Sequence, residues 1–370
     1  MIPRARHVAL AALSSALLVL SALTGIADAT ANRAANSKVY AVPLATTQAD
    51  VKRVAEHWKP DRLKVADNYS PATPGAKAAP TSEPQTATDQ GNPVAAIRRT
   101  LAAQSVASAM PRKGKMATTM GKVYFRFGNK EYWCSASAVA ARNRSVVATA
   151  AHCAYDSRQA RAADSWIFVP DPGPNGEASK GIYVGAAISM HEDWSGKGDY
   201  DYDYAFVTVH RGFTWTKKNG SYVLKDIGRL QDNVGGQGLE LNKKPGTYSA
   251  VPFGYPAGMQ PDRSRPFNGK KLRFCIKRTT TQWAAVAPAF DLQKGVQLQP
   301  CDFSHGASGG PWLIGWNENR GLGTLVGVNS LTWNRDAQGW YDAVSSPYFD
   351  TTTGEVYRHA ASVRTISQIT

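Results

Sequence analysis

From Met120 onward the chain alternates short apolar runs with polar punctuation, and none of these runs holds a helical period. Residues 123–127, 132–139, 145–149, 166–169, 182–188 and 205–209 are rich in β-branched and aromatic side chains. Gly, Pro, Asn and Asp separate them, which predicts strands joined by turns. Gly128-Asn129 marks a turn after the first run. A polar stretch over residues 216–245 interrupts the series, which resumes at 248–251, 272–277, 296–298, 312–314 and 325–330. Many short strands punctuated in this way predict an all-β barrel or sandwich. Two groups of strands on either side of a polar connector predict two barrels. The strands do not alternate with long helices, which argues against a parallel α/β sheet.

Upstream of residue 118 the pattern changes to Ala, Thr, Pro, Ser and Gln with few aromatics. Residues 48–58 read as a helix. A second helix is expected over 92–108, with Asn92 as its cap and Pro93 in its first turn. The proline-rich stretch 70–93 between them reads as a flexible linker. At the start, Arg4 and Arg6 precede a nearly continuous apolar stretch over 8–27 and the small-x-small sequence Ala27-Asp28-Ala29. Those are the three parts of a secretory signal, with cleavage expected after Ala29. The expected organisation is a signal peptide over 1–29, a pro-region or linker over 30–118, an N-terminal barrel over 119–215, and a connector, C-terminal barrel and extension over 216–370. Pro111-Arg112-Lys113-Gly114-Lys115 is the expected processing stretch. Past the signal no run approaches the roughly 18 apolar residues that a membrane span needs, so a secreted, extracellular protein is expected.

The 370 residues carry a net charge of +15. Residues 30–118 and 119–370 each carry +7 although the second is far longer, so the excess is not evenly spread. No Lys/Arg block with interleaved aromatics occurs, and nucleic acid is not an expected partner. Export places Cys134, Cys153, Cys275 and Cys301 in an oxidising compartment and predicts two disulfides. Four cysteines allow three pairings. Pairing neighbours would keep one bridge in each half of the 119–370 region. No CxxC or HxxxH occurs, and neither a metal nor an organic cofactor is expected.

Three segments carry candidate chemistry. In Thr149-Ala150-Ala151-His152-Cys153 an apolar strand ends at a histidine. In Asp199-Tyr200-Asp201-Tyr202-Asp203 three acids alternate just before an apolar strand, without the glycine and glutamate of a calcium loop. A catalytic histidine needs a buried carboxylate to fix its tautomer. Asp203, at the edge of the apolar run, is the best placed, and Asp201 is the reserve. In Gly306-Ala307-Ser308-Gly309-Gly310-Pro311 a serine sits in a glycine-rich bend whose N–H groups, those of Gly306 and Ser308, can form an oxyanion hole. Gly306-x-Ser308-x-Gly310 also fits the nucleophile elbow of lipases and esterases. That arrangement needs a histidine after the serine, and only His359 follows Ser308.

The order His152, Asp203, Ser308 resembles that of chymotrypsin-like and trypsin-like serine proteases. Cys134-Ser135-Ala136-Ser137-Ala138-Val139 and Asp203-Tyr204-Ala205-Phe206-Val207 match the same pattern. The resemblance covers residues 120 to about 350. It implies two six-stranded antiparallel β-barrels with the active site in the cleft between them. It also implies a Cys134–Cys153 bridge beside His152, and a substrate-pairing strand at Gly327-Val328-Asn329-Ser330 running on to Leu331 and Thr332. Phe253-Gly254-Tyr255-Pro256 is similar to the secreted bacterial branch that includes the glutamyl endopeptidases. Phe303 and Asn329 stand where that branch would place Thr or Ser and His. Ala307 stands where trypsin-type enzymes place the acid that binds a freed N-terminus. Asp302, six residues before Ser308, stands where trypsin-like enzymes hold a basic substrate side chain, with His305 on the same pocket wall. The expected activity is a monomeric serine endopeptidase acting on protein or peptide substrates through an acyl-enzyme. An esterase and a catalytically silent binding module of the same fold are the alternatives.

Overall fold

The computed structural model describes residues 38–69, 71, 94–95, 118–275, 279–335 and 339–369. The expected signal, the 92–108 helix and the processing stretch lie outside the described residues, apart from Val94 and Ala95. By its contacts the chain divides into Met1–Lys38 and Val39–Thr370. Of the first unit only Lys38 is described, and the account below concerns the second.

Six strands form a closed antiparallel ring. Tyr183–His191 pairs with Ala205–Val209, then come Val146–Thr149, Lys130–Val139, Met120–Phe127 and Asp164–Pro170. Ile167 opposite Val184 and Phe168 opposite Tyr183 close the ring. Val123, Phe125, Ala136, Val147, Phe168 and Phe206 are fully or almost fully buried in its core. A closed ring leaves no long free edge.

Residues Val39–Asn68 are built onto this barrel. Strand Val39–Pro43 extends the sheet by pairing with the far half of Tyr183–His191, Val39 opposite His191 and Pro43 opposite Ala187. Helix Gln48–His57 begins at a capping box made by Thr47 and Asp50, and buries Val51, Val54 and Ala55. That spacing of three, then one, makes a single apolar stripe. Trp58, at the helix C-cap, is fully buried and donates its indole N–H to Ser165 O. Asp67–Asn68 then pairs in parallel with Tyr132–Trp133.

Two elements differ from the sequence expectation. The stretch expected to be a polar connector contains a hairpin, Gly212–Lys218 with Ser221–Gly228. Asn219 and Gly220 turn it, both at positive φ. Its strands are largely exposed, so they carry charge where a buried strand would be apolar. The chain also ends in a helix, Thr351–Ser362, capped by Asp350. It packs back on the first barrel, where Tyr357 donates its hydroxyl to Ala140 O at 2.6 Å and Ala360 O accepts from Thr208 at 2.7 Å. The helix uses the barrel's outer face, which explains its buried Val356 and Ala360.

The C-terminal half is mostly β. Ser249–Gly254, Pro311–Asn317 and Leu322–Val328 form one sheet, flanked by shorter strands. Gln282–Ala287, Leu292–Leu298, Ala343–Ser346 and Leu331–Trp333 form a second. Val328 N–H donates to Ser346 Oγ and joins the two, while among the described residues a closed hydrogen-bonded ring is traced for the N-terminal half. Cys134 bridges Cys153, and Cys275 bridges Cys301.

Candidate active site

Strand pairing sets the first half of the site. Ala205 lies opposite Thr149, so the residues just before one strand and just after the other meet. After Thr149 the chain makes one tight turn, Ala151–Cys153, tied back to the neighbouring strand by the Cys134–Cys153 bridge. Trp166 Nε1 donates to Cys153 O at 3.1 Å and holds the turn from below. On the other side, Asp199 caps the turn Tyr200–Tyr202 and delivers Asp203 to His152. His152 Nδ1 lies 2.8 Å from Asp203 Oδ2, and the His152 backbone N–H donates to Oδ1 at 2.9 Å. Ser330 Oγ donates to Oδ2 at 2.6 Å. The pair is deeply buried, His152 at 2% and Asp203 at 0% exposure. A carboxylate on Nδ1 fixes the tautomer that leaves Nε2 with a lone pair. Nε2 is buried and takes no hydrogen-bond partner among the described residues.

A backbone loop before strand Pro311–Asn317 makes the second half. Ala307, Gly309 and Gly310 donate their N–H groups to Ser304 O, Asn329 O and Ala307 O at 3.2, 2.7 and 3.0 Å. The N–H groups of Gly306 and Ser308 take no partner among the described residues. Gly306 sits at φ +94°, and a Cβ there would lie 2.6 Å from the Trp133 ring. Gly309, at φ +78°, would put a Cβ 2.1 Å from Thr149 Oγ1. Both positions therefore require glycine.

Two serines join the halves. Ser135 N–H donates to Ser308 O at 2.8 Å, and its hydroxyl donates to Gly306 O at 2.8 Å while accepting from Tyr255 N–H. Ser135 follows Cys134, whose bridge partner Cys153 follows His152, so Ser308 is carried to the edge of the His152 turn. From the other half, Ser330 reaches Asp203.

A sequence model of the trypsin family matches residues 110–351. The chain belongs to the trypsin family. Solved structures similar to it include the thermostable serine protease AL20 from an extremophilic microorganism, at 26% identity and TM-score 0.54, covering 67% of this chain and 99% of that one. Protease Anisep from Arthrobacter nicotinovorans is similar at 30% identity and TM-score 0.53, covering 67% of this chain and 97% of that one. No curated protein matches the chain. The protein is thus a serine-type peptidase with the chymotrypsin-like fold.

The other candidate residues of this trypsin-family peptidase lie at several places in the fold. Asp201, the reserve acid, points away from His152 and accepts the N–H groups of Gln293 and Lys294 at 3.2 and 3.0 Å, stitching the halves together. Burial pushes its carboxyl up to about 6. His359 lies on the terminal helix against Ser189 Oγ at 2.8 Å. Asp302 is half-buried, its carboxyl raised by burial and opposed by Arg273, and its backbone carbonyl accepts from Gln260. His305 O accepts from Ala257 and Gly258, and burial and the nearby His152 hold its ring below the usual imidazole range. Leu331 and Thr332 pair with Ser345 and Val344. Among the described residues the grouping of metal-type donors is Cys134, His152 and Cys153, whose sulfurs are joined in a disulfide.

Three contributors escaped the sequence reading. Ser135 is a small hydroxyl residue in a strand of mixed composition and carries little signal of its own. Asn329 is expected in the substrate-pairing strand, at a position where the glutamyl endopeptidases would place a histidine. Its buried amide instead binds Phe253 O and Ala307 O at 2.8 Å each and accepts Trp312 Nε1 at 2.7 Å. Tyr69 lies in the region read as a pro-region, with its ring centroid 6.1 Å from that of His152.

Proposed function

We propose that this peptidase is a secreted endopeptidase that cleaves peptide bonds through an acyl-enzyme on Ser308. His152 Nε2 takes the Ser308 proton as the oxygen attacks the carbonyl, then returns it to the leaving amine. Asp203 holds the imidazole in register and stabilises its charged form. The Gly306 and Ser308 N–H groups receive the oxyanion. The observation that carries this reading is the buried His152–Asp203 pair with Nε2 left unpartnered. Buried polar atoms are as a rule hydrogen-bonded, so an unpartnered Nε2 beside a paired Nδ1 calls for an explanation, and a nitrogen kept open for the serine proton supplies one.

The proposal extends to the rest of the chain. Residues 1–29 direct export, the product acts as a monomer on protein or peptide substrates, and cleavage near Pro111–Lys115 matures residues 30–118. Cleavage there would cut the chain without undoing the pairing of Val39–Asn68 with the barrel. Asp302 and His305 border the primary specificity pocket. The Ser330–Thr332 backbone pairs with the substrate, while the Ser330 hydroxyl is committed to Asp203.

The test is labelling of the secreted protein with a fluorophosphonate probe, followed by peptide mapping. A single adduct on Ser308, absent from Ser308→Ala, is the expected result. A processed chain that takes no adduct would overturn the reading.

A further inference from the structure

Part of the site's wall comes from outside the trypsin-family match, which begins at residue 110. The chain leaving Asp67–Asn68 brings Tyr69 N–H to Trp133 O at 3.0 Å, one residue before the bridged Cys134. Its ring packs on Phe125 and Tyr132, at centroid distances of 5.4 and 5.0 Å, and its outer side lies over His152. A cavity opens there, lined by Tyr69, Pro71, His152, Tyr155, Trp194 and Tyr200. With Tyr69 and Pro71 removed, His152 would lose one side of this enclosure.

We propose that Tyr69 is a specificity-determining residue of the enzyme, closing a subsite beside His152 that takes a bulky apolar side chain of the peptide substrate. It follows that Val39–Tyr69 is a working part of the active enzyme. This rests on the reading of His152 as the general base, since a subsite touching the base lies close to the scissile bond.

The chemistry of the walls selects the occupant. Tyr69, Tyr155, Trp194 and Tyr200 contribute aromatic rings to the lining, and Pro71 a saturated one. Such a wall rewards apolar area. Asp156 and Arg158 stand among the lining residues as well, with Asp156 Oδ1 accepting the Arg158 N–H at 3.1 Å. The segment is fastened by five residue pairs of strand, a buried indole and an apolar helix face, so its place beside His152 does not depend on Tyr69 alone.

The experiment uses the secreted full chain and its Tyr69→Ala and Tyr69→Phe variants. Each is profiled on peptide mixtures varied at the two positions on either side of the scissile bond. For the wild type, one position should prefer bulky apolar over alanine. Tyr69→Ala should lower that ratio of kcat/KM about tenfold, the scale set by lost apolar contact in a pocket, and Tyr69→Phe should restore it. Should Tyr69→Ala not fold, Tyr69→Leu keeps apolar bulk against Phe125 and Tyr132 and carries the same test. An unchanged ratio would overturn the proposal. So would an equal rise for every peptide, which would make the segment a plug, or labelled, active enzyme from which Val39–Tyr69 has gone. Fluorophosphonate labelling of the same wild-type sample separates the cases. Labelled enzyme with an unaltered Tyr69→Ala profile sinks this inference alone, whereas unlabelled, inactive enzyme sinks the triad reading and this inference with it.

Discussion

The two halves of the site are held by opposite means. The His152 side fixes side chains: a disulfide, a capped turn and the Ser330 hydroxyl converge on one imidazole and one carboxylate. The Ser308 side fixes backbone: carbonyls are pinned by Asn329 and Ser135, while the N–H groups of Gly306 and Ser308 are left over. The difference follows from what each half must present. A general base needs one nitrogen in one tautomer. An oxyanion needs donors arranged before it forms, because reorganising them during reaction would cost what they contribute.

The sharpest break of this contrast is Asp203→Asn. The amide would keep the shape of the pair but favour the wrong imidazole tautomer. Loss of kcat by about 10⁴-fold is expected, the scale known for this kind of change. Thermal stability should change little by comparison. A variant retaining a tenth of wild-type kcat would show that the carboxylate does not set the tautomer.

On the backbone side the counterpart is Asn329→Ala. It removes two donors from buried carbonyls and strands the Trp312 indole N–H, whose acceptor is Asn329 Oδ1. A buried unsatisfied polar group costs about 1–3 kcal/mol, so destabilisation of roughly 3 kcal/mol is expected. Denaturant melts should show it, and kcat should fall as the Ala307 carbonyl loosens. A loss of activity without a loss of stability would mean that Asn329 acts on the substrate rather than on the loop.

How much of this contrast the chain declares in advance depends on range. Asp203 and His152 could be paired because each ends a strand, and strand ends are visible as apolar runs meeting turn residues. Ser308 was visible through its glycines, whose positions the close contacts around Gly306 and Gly309 now explain. Ser135, Asn329 and Tyr69 were not assigned these roles because their work lies across the fold. Ser135 meets Gly306 across 171 residues of separation, and a hydroxyl in a strand says nothing about which carbonyl it will meet. The hairpin over 212–228 was missed although Asn219-Gly220 is a strong turn signal, because its exposed strands lack the apolar content by which the others were recognised. The Thr351–Ser362 helix was missed because its apolar face is written for a barrel surface formed more than 140 residues earlier.

Ser330→Ala is a smaller probe of the same contrast, because it removes one of three donors to Asp203 and leaves both His152 contacts. A fall in kcat of about tenfold is expected, the equivalent of about 1.4 kcal/mol. KM should be nearly constant, since the hydroxyl is turned to Asp203 and the substrate is expected to meet the backbone. A change confined to KM would move Ser330 from the acid to the substrate.

A test away from the reacting atoms addresses the cost of placing three acids in one buried turn. Burial pushes the Asp199 carboxyl up to about 8, with Asp201, Asp291 and Asp193 adding repulsion and the Asp201 backbone N–H opposing the rise. In the unfolded chain the same group titrates at about 4. Below that pH both states are protonated and the shift has no effect on stability. Between about 4 and 8 the folded protein keeps a proton that the unfolded chain has lost. Stability from this group is therefore lost as pH rises through that window. Asp199→Asn removes the titration and keeps the cap, because Asn caps a helical turn about as well as Asp. Built on Ser308→Ala to prevent self-digestion, the variant should match its parent at pH 4 and be more stable at pH 8, by a few kcal/mol at most. Melting curves at both pH values decide it. Equal slopes would mean that Asp199 is ionised in the fold. The acids on the His152 side would then be held by the turn's N–H groups alone, and that side would be fixed by backbone in the same manner as the Ser308 loop.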